Sequence, residues 1–345
     1  MIVVRAQVLR VASALLIVFL FTVGLHQLRL SPQGAPDFSC NEPAGQAVSI
    51  DVSTGATGAD IGRLLYANKV IKSSESFFRI AVSDPRSSSI APGRHQIDQH
   101  LCAKDALEQL LDGSRISGLI KIFEGAWNVE IVDQMVKAGF VKSEVKVALA
   151  AANLPQGITS IEGILFPAQY SFAQGTTAAD AIASMITRGK SEFEKIGIFS
   201  APGRYSAQDL VTMASIIQAE GDEQDFSKVS RVIRNRLEIG MPLQMDSTVH
   251  YIKSTRGKIF LSTESTLLRS PYNTYRNYGL PPGPIGNPGS AALVAALDPA
   301  VGDWIYFITV APGDTRFTAS NSQFSEWKLE YKRNLKDGLF SRSKK

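Results

Sequence analysis

Hydrophobic and polar positions divide the chain into one long apolar block and a series of short periodic segments. Between Arg10 and Arg29 lie eighteen residues without a formal charge, VASALLIVFLFTVGLHQL. As a helix they would span about 27 Å, close to the thickness of a bilayer's hydrocarbon. Arg5 and Arg10 precede the block, so the positive-inside bias places the N-terminus in the cytoplasm and the rest of the chain outside it. The rival reading is a cleaved signal peptide, but no small-x-small cleavage site follows the block, which therefore reads as an uncleaved anchor. Next comes SPQGAPDFSCNEPAGQ, residues 31–46, whose Pro, Gly and Ser content reads as a linker.

Beyond the linker the pattern repeats itself. Residues 48–73 and 118–143 match at an offset of 70 positions, aligning Gly55 with Gly125, Ala56 with Ala126, Ile61 with Ile131, Lys72 with Lys142 and Ser73 with Ser143. Each copy carries a short alternating strand, a glycine turn, a helix and a second helix start, and each ends in a strand-like piece followed by a helix. From Ser206 the period becomes helical. SAQDLVTMASIIQAE begins on a Ser-x-x-Asp capping box and stops at Gly221, with Leu210, Met213, Ile216 and Ile217 in one arc. DFSKVSRVIRNRLEIG follows, with Val229, Val232, Ile233 and Leu237 at helical spacing and Gly240 as the stop, so the pair predicts an αα-hairpin. The Pro/Gly-dense run 270–289 is too irregular for an element and too rich in amides and aromatics for disorder. A short helix, SAALVAALDP, and a buried-type strand, DWIYFITVA, close the domain. The predicted class is α+β, divided into a tail and anchor (1–30), a linker (31–46), a first α/β module (47–117), a second related α/β unit (118–200) and a mainly helical domain (201–345).

Composition narrows the function by exclusion. With 36 basic against 32 acidic residues and a net charge of +4, the chain has no basic stripe interleaved with aromatics and is not expected to bind nucleic acid. The terminal SRSKK reads as a surface tail. His26, His95, His100 and His250 show no metal-ligand spacing with one another or with cysteine, so no metal is expected. Nucleotide loops and the serine-hydrolase signature are missing, and no cofactor is expected. Outside the cytoplasm Cys40 and Cys102 are candidates for one disulfide closing a long loop; the alternative is two unpaired thiols, one of them buried.

Glu220 is the residue that breaks the pattern. It falls in the apolar arc of the helix that begins at Ser206. A carboxyl there resists ionisation, keeps its proton near neutrality and can hand it to a leaving oxygen, as cleavage of a glycosidic bond requires. The bland alternative is a structural Glu bonded to a backbone amide or to Arg234 or Arg236. Asn235, Gln244, Asp246, Thr248, Tyr272, Asn273 and Tyr275 follow within a short span. They offer amide, hydroxyl and aromatic groups suited to sugars.

The ordered segments LVTMASIIQAEG, VSRVIRNRLEIGMPLQMDSTVHY and SPYNTYRNYGLPPGPIGNPG, together with EGILFPAQYSF at residues 162–172, resemble the MltG (YceG-like) endolytic murein transglycosylases over about residues 48–317. The resemblance implies a LysM-like character for the first module and a helical catalytic domain. It also implies nonhydrolytic cleavage of the MurNAc-GlcNAc bond of nascent peptidoglycan to leave 1,6-anhydro ends, with peptidoglycan synthases as partners. It assigns the acid role to Glu220, leaves Gln218 where relatives commonly have an acid, and brings in Glu162 as a substrate-binding or electrostatic aid beside Asp246. Many relatives have two histidines near the C-terminus where Thr315 and Phe324 stand here, which makes Arg316 the candidate substitute. The competing classes are a non-catalytic peptidoglycan-binding protein of the envelope and a cytosolic lyase.

Overall fold

The computed structural model describes residues 34–53, 55–172, 175–201, 203–256 and 262–341. The apolar N-terminal block and the last four basic-tail residues lie outside them. Among the described residues no helix is long and apolar enough to cross a membrane. The chain divides after Ser117 into two compact units.

In the first unit, strand β1 (Ala47–Val52) leads to helices α1 (Gly58–Ala67) and α2 (Ser74–Ser83), then β2 (Gly93–Asp98), α3 (Ala103–Leu111) and the short β3 (Ile116–Ser117). The strands form an antiparallel sheet in the order β1-β2-β3, with Ile50 opposite His95 and His95 opposite Ile116. Alternation sends Ile50, Val52 and Ile97 into a core shared with Ile61, Leu65, Phe77 and Leu107. Thr57 and Asp60 form a capping box that starts α1.

The run read as a linker is tied down from Ala35 onward. The Ala35 carbonyl accepts from Arg79 and the Pro36 carbonyl from the Ser73 hydroxyl. The Asp37 carboxylate accepts the Ala103 amide at 3.1 Å, satisfying an orphan donor of α3. Cys40 is disulfide-bonded to Cys102. Pro, Gly and Ser rule out a regular element here, but side-chain and backbone bonds supply the order that periodicity does not.

The second unit begins with the same succession: β4 (Ile120–Lys121), α4 (Asn128–Lys137), α5 (Lys142–Ala150), β5 (Gln169–Tyr170) and α6 (Ala178–Ile196), with β4 and β5 antiparallel. Gly55 and Gly125 precede α1 and α4 at φ of 78° and 74°, values that glycine adopts without strain. There follow α7 (Ala207–Glu220), α8 (Phe226–Glu238), α9 (Asp246–Ile252), the loop 270–289, α10 (Ser290–Leu297), a β6 (Tyr306–Ala311) and β7 (Asp314–Thr318) hairpin, and α11 (Asn321–Lys336).

Helix α7 starts on the Ser206–Asp209 capping box and ends against Gly221, but it is not amphipathic. Every residue from Leu210 to Ile217 is buried, because α8, α9 and α10 pack around it. The polar members of that run are satisfied internally: the Ser215 hydroxyl donates to the Thr212 carbonyl and accepts from the Ile285 amide. The closing strand is only half-buried along most of its length, since its partner is the β7 hairpin arm rather than a covered sheet. Helix α11 is not predicted by the sequence pattern. It buries no residue completely, so its apolar period is faint.

Candidate active site

Glu220 is the last residue of α7. A Cβ on the following Gly221 would come within 3.2 Å of Val229, so this bare position lets the chain turn closely into α8. The first turn of α9 then reaches the carboxyl, and the Ser247 amide donates to Glu220 Oε1 at 3.0 Å. Beside it, Asp246 Oδ1 accepts the Tyr275 hydroxyl. Behind it lies the buried guanidinium of Arg236, committed to the carbonyls of Ile305 and Leu243. Burial raises the pKa of Glu220; the Ser247 amide and the Arg236 charge oppose the rise, and the Asp246 charge adds to it. Solvent still reaches part of the side chain, and among the described residues Oε2 has no hydrogen-bond partner. The carboxyl is thus held by one oxygen, starved of water by the protein around it, and open at the other oxygen.

A second carboxyl lies in the same unit. Glu162 is 9% exposed. Its Oε1 accepts the Asn128 amide at 3.0 Å and the Asn287 side-chain amide at 3.3 Å, and its Oε2 accepts the Tyr251 hydroxyl at 3.1 Å. Glu162 borders a pocket of about 400 Å³ walled by Trp127, Tyr251 and Tyr272, with Ser254 and Ser270 at its edge. Burial pushes its pKa up to about 7 against the pull of the Asn128 amide, the Tyr251 hydroxyl and Arg256, while Glu130 adds to the rise.

The folded chain holds the Glu162 proton more tightly than the unfolded chain, where the carboxyl titrates near 4.5. Between those values the unfolded form has lost its proton and the folded form has not, so stability is greatest below that window and is lost as pH rises through it. The loss is on the order of 3 kcal/mol. Urea unfolding from pH 5 to pH 8 checks this: Glu162→Gln should flatten the decline, and an unchanged slope in that variant would remove the assignment.

The sequence of residues 50–330 matches the model of the YceG-like family. The chain belongs to the YceG-like family. It is 30% identical over 306 residues to the Bacillus subtilis (strain 168) protein named endolytic murein transglycosylase, covering 82% of this chain and 84% of that one. A protein of the same name from Streptococcus pneumoniae serotype 2 is 28% identical over 199 residues, which are 53% of this chain and 36% of that longer protein. The crystal structure of a YceG-like protein from Listeria monocytogenes superposes with a TM-score of 0.53 at 25% identity, covering 81% of this chain and 98% of the other.

In this YceG-like chain the remaining predicted residues separate by burial. Gln244 is exposed, at a left-handed φ of 49°, and its backbone amide donates to the Thr274 carbonyl. Tyr272 and Tyr275 are partly exposed, one on the Glu162 pocket and the other on Asp246. Thr248 and Asn273 have no exposed surface. Thr248 bonds to Met245 and Thr274, and Asn273 spans the Thr266 and Leu268 carbonyls and the Tyr275 amide, so both build the loop and offer nothing to a ligand. Asn235 gives its amide to the carbonyls of Gly302 and Trp304. Gln218 caps α10 by accepting the Gly289 amide at 3.0 Å.

Arg316 is not a free substitute for the missing histidines. It pairs with Asp314 at 2.6 Å and with Glu330 at 2.9 Å. Thr315 shares a bond with Thr309, and Phe324 stacks on Tyr306, whose ring lies under Arg236. Sequence reasoning missed Ser247, Tyr251, Asn128 and Asn287. Only Asn287 left a trace, as a lone amide amid the turn formers of GPIGNPG.

Proposed function

We propose that the chain is an endolytic lytic transglycosylase of peptidoglycan and that Glu220 is its acid and base. The observation that carries this is the Glu220 carboxyl itself, with Oε1 fixed by the Ser247 amide, Oε2 open, and its charged form disfavoured by burial. The names of the related proteins support the activity. The protonated carboxyl gives its proton to the glycosidic oxygen as the bond from that oxygen to the MurNAc anomeric carbon breaks. The MurNAc 6-hydroxyl oxygen then closes on the anomeric carbon, and the Glu220 carboxylate takes the hydroxyl proton, which regenerates the acid and leaves a 1,6-anhydro end. Asp246, oriented by Tyr275, supplies negative charge beside the positive character that develops at the sugar ring. Gln244, Tyr272 and Tyr275 border the glycan path. Incubating the full-length chain with peptidoglycan and weighing the products by mass spectrometry tests the reading: anhydro ends are expected, and only hydrated reducing ends would overturn it.

The first unit is assigned a LysM-like, glycan-holding role, and residues 1–30 a cytoplasmic tail and single anchor in the cytoplasmic membrane. That places both units on the outer side of this membrane, within reach of newly made strands and of the synthases that extend them. The uncharged block after Arg10 and the Cys40–Cys102 disulfide, a bond that persists outside the reducing cytosol, support this topology. A C-terminal reporter active only in the cytoplasm should stay silent, and a signal from it would reverse the orientation.

A further inference from the structure

We propose that Glu162 is a positioning residue for Glu220: through Tyr251 it fixes the short helix α9, whose Ser247 amide holds the Glu220 carboxyl. Helix α9 has seven residues and no side-chain cap, too short to hold its own conformation in water. Its place is set from outside. At its start the Met245 amide donates to the Thr274 hydroxyl at 2.9 Å, and the Thr248 and Thr274 hydroxyls share a bond of 2.9 Å. At its end the tie is the Tyr251 hydroxyl on Glu162. Ser247, in the first turn, offers its backbone amide, and Tyr251, in the last, its side-chain hydroxyl. One of them meets Glu220 and the other meets Glu162.

Glu162 is well placed to serve as the fixed point. Its Oε1 is held by the first amide of α4 and by Asn287, and Asn287 also receives the amides of Gly163 and Leu165, which flank Ile164. The Tyr251 ring is braced against Trp127 and Tyr272, with centroids 5.8 and 5.3 Å away. Three hydrogen bonds occupy most of the acceptor capacity of Glu162. Its carboxyl therefore serves the protein more than the pocket it borders.

The inference rests on Glu220 being the acid, and the test separates the two claims. In the full-length chain, Tyr251→Phe and Glu162→Ala should each lower kcat by about tenfold or more, since small displacements of a reacting group are costly. The apparent KM for soluble glycan strands should stay within about threefold, and the limb of the pH-rate profile set by Glu220 should move. Glu162→Gln should recover kcat to within about threefold of the parent. Its amide oxygen still accepts from Asn128 and Asn287, and its NH2 can donate to the Tyr251 oxygen. A parental kcat and pH profile in Tyr251→Phe overturns the inference, as does a Glu162→Gln variant as slow as Glu162→Ala, which would mean that Glu162 acts by charge or proton transfer. Loss of activity in Glu220→Gln beside an unaffected Tyr251→Phe sinks this inference alone, whereas an active Glu220→Gln removes the reading beneath it as well.

Discussion

Glu220→Gln should release anhydro-ended fragments at least about a hundredfold more slowly than the parent chain, with the fold intact. The amide keeps the size of the carboxyl, and its oxygen can still accept the Ser247 amide now bonded to Oε1. What disappears is the transferable proton at the open oxygen. Stability should hold or rise slightly, because burial already disfavours the charged form of Glu220 and the variant removes the cost of ionising it. Asp246→Asn is the informative comparison. Asp246 is bonded to Tyr275 and is assigned charge stabilisation rather than proton transfer, so its loss should be smaller than that of Glu220→Gln and should leave the nature of the products unchanged. Mass spectrometry of digests run side by side decides both. Near-parental anhydro ends from Glu220→Gln would end the case for this residue and direct attention to Asp246 and Glu162.

The sequence marks Glu220 for a reason only partly right. The boundaries of α7 were legible, since Ser206, Asp209 and Gly221 write a start and a stop in local chemistry. The apolar arc was not informative, because a helix buried from Leu210 through Ile217 on every side has no preferred face. Glu220 is special as the residue where the buried helix ends, with α9 laid across it. The repeated strand and helix order was legible for the same local reasons, helped by glycines that must take positive φ. Residues whose roles depend on distant partners were not. Thr248 and Asn273 looked like sugar ligands because of their chemistry, and burial turned that chemistry inward. Arg316 looked available until Asp314 and Glu330 closed on it. Ser247 contributes its backbone amide, a group every residue but proline possesses, so no sequence pattern marks it.

Asn287→Ala should be the most damaging single change to the stability of the second unit, on the order of 3 to 5 kcal/mol. Asn287 is fully buried. Its side-chain oxygen accepts the amides of Gly163 at 3.0 Å and Leu165 at 2.9 Å. Its side-chain nitrogen donates to the Ala126 carbonyl, the Asn128 side chain and Glu162. Alanine keeps the backbone bridge, in which the Ala126 carbonyl still accepts the residue 287 amide, but it orphans the two buried amides of Gly163 and Leu165 where little water can replace the lost bonds, and each costs about 1 to 3 kcal/mol. For a unit of this size the thermal midpoint should fall by roughly 10 °C. Asn287→Asp is the sharper variant. It preserves the acceptor toward Gly163 and Leu165, yet sets a second carboxyl against Glu162 in a buried site where one carboxyl is already reluctant to ionise. Its stability should therefore approach that of the parent at pH 5 and fall away toward pH 8, whereas the deficit of Asn287→Ala should vary little with pH. Calorimetry across that range tells the two apart, and an Asn287→Asp deficit independent of pH would mean that the two side chains are not electrostatically coupled.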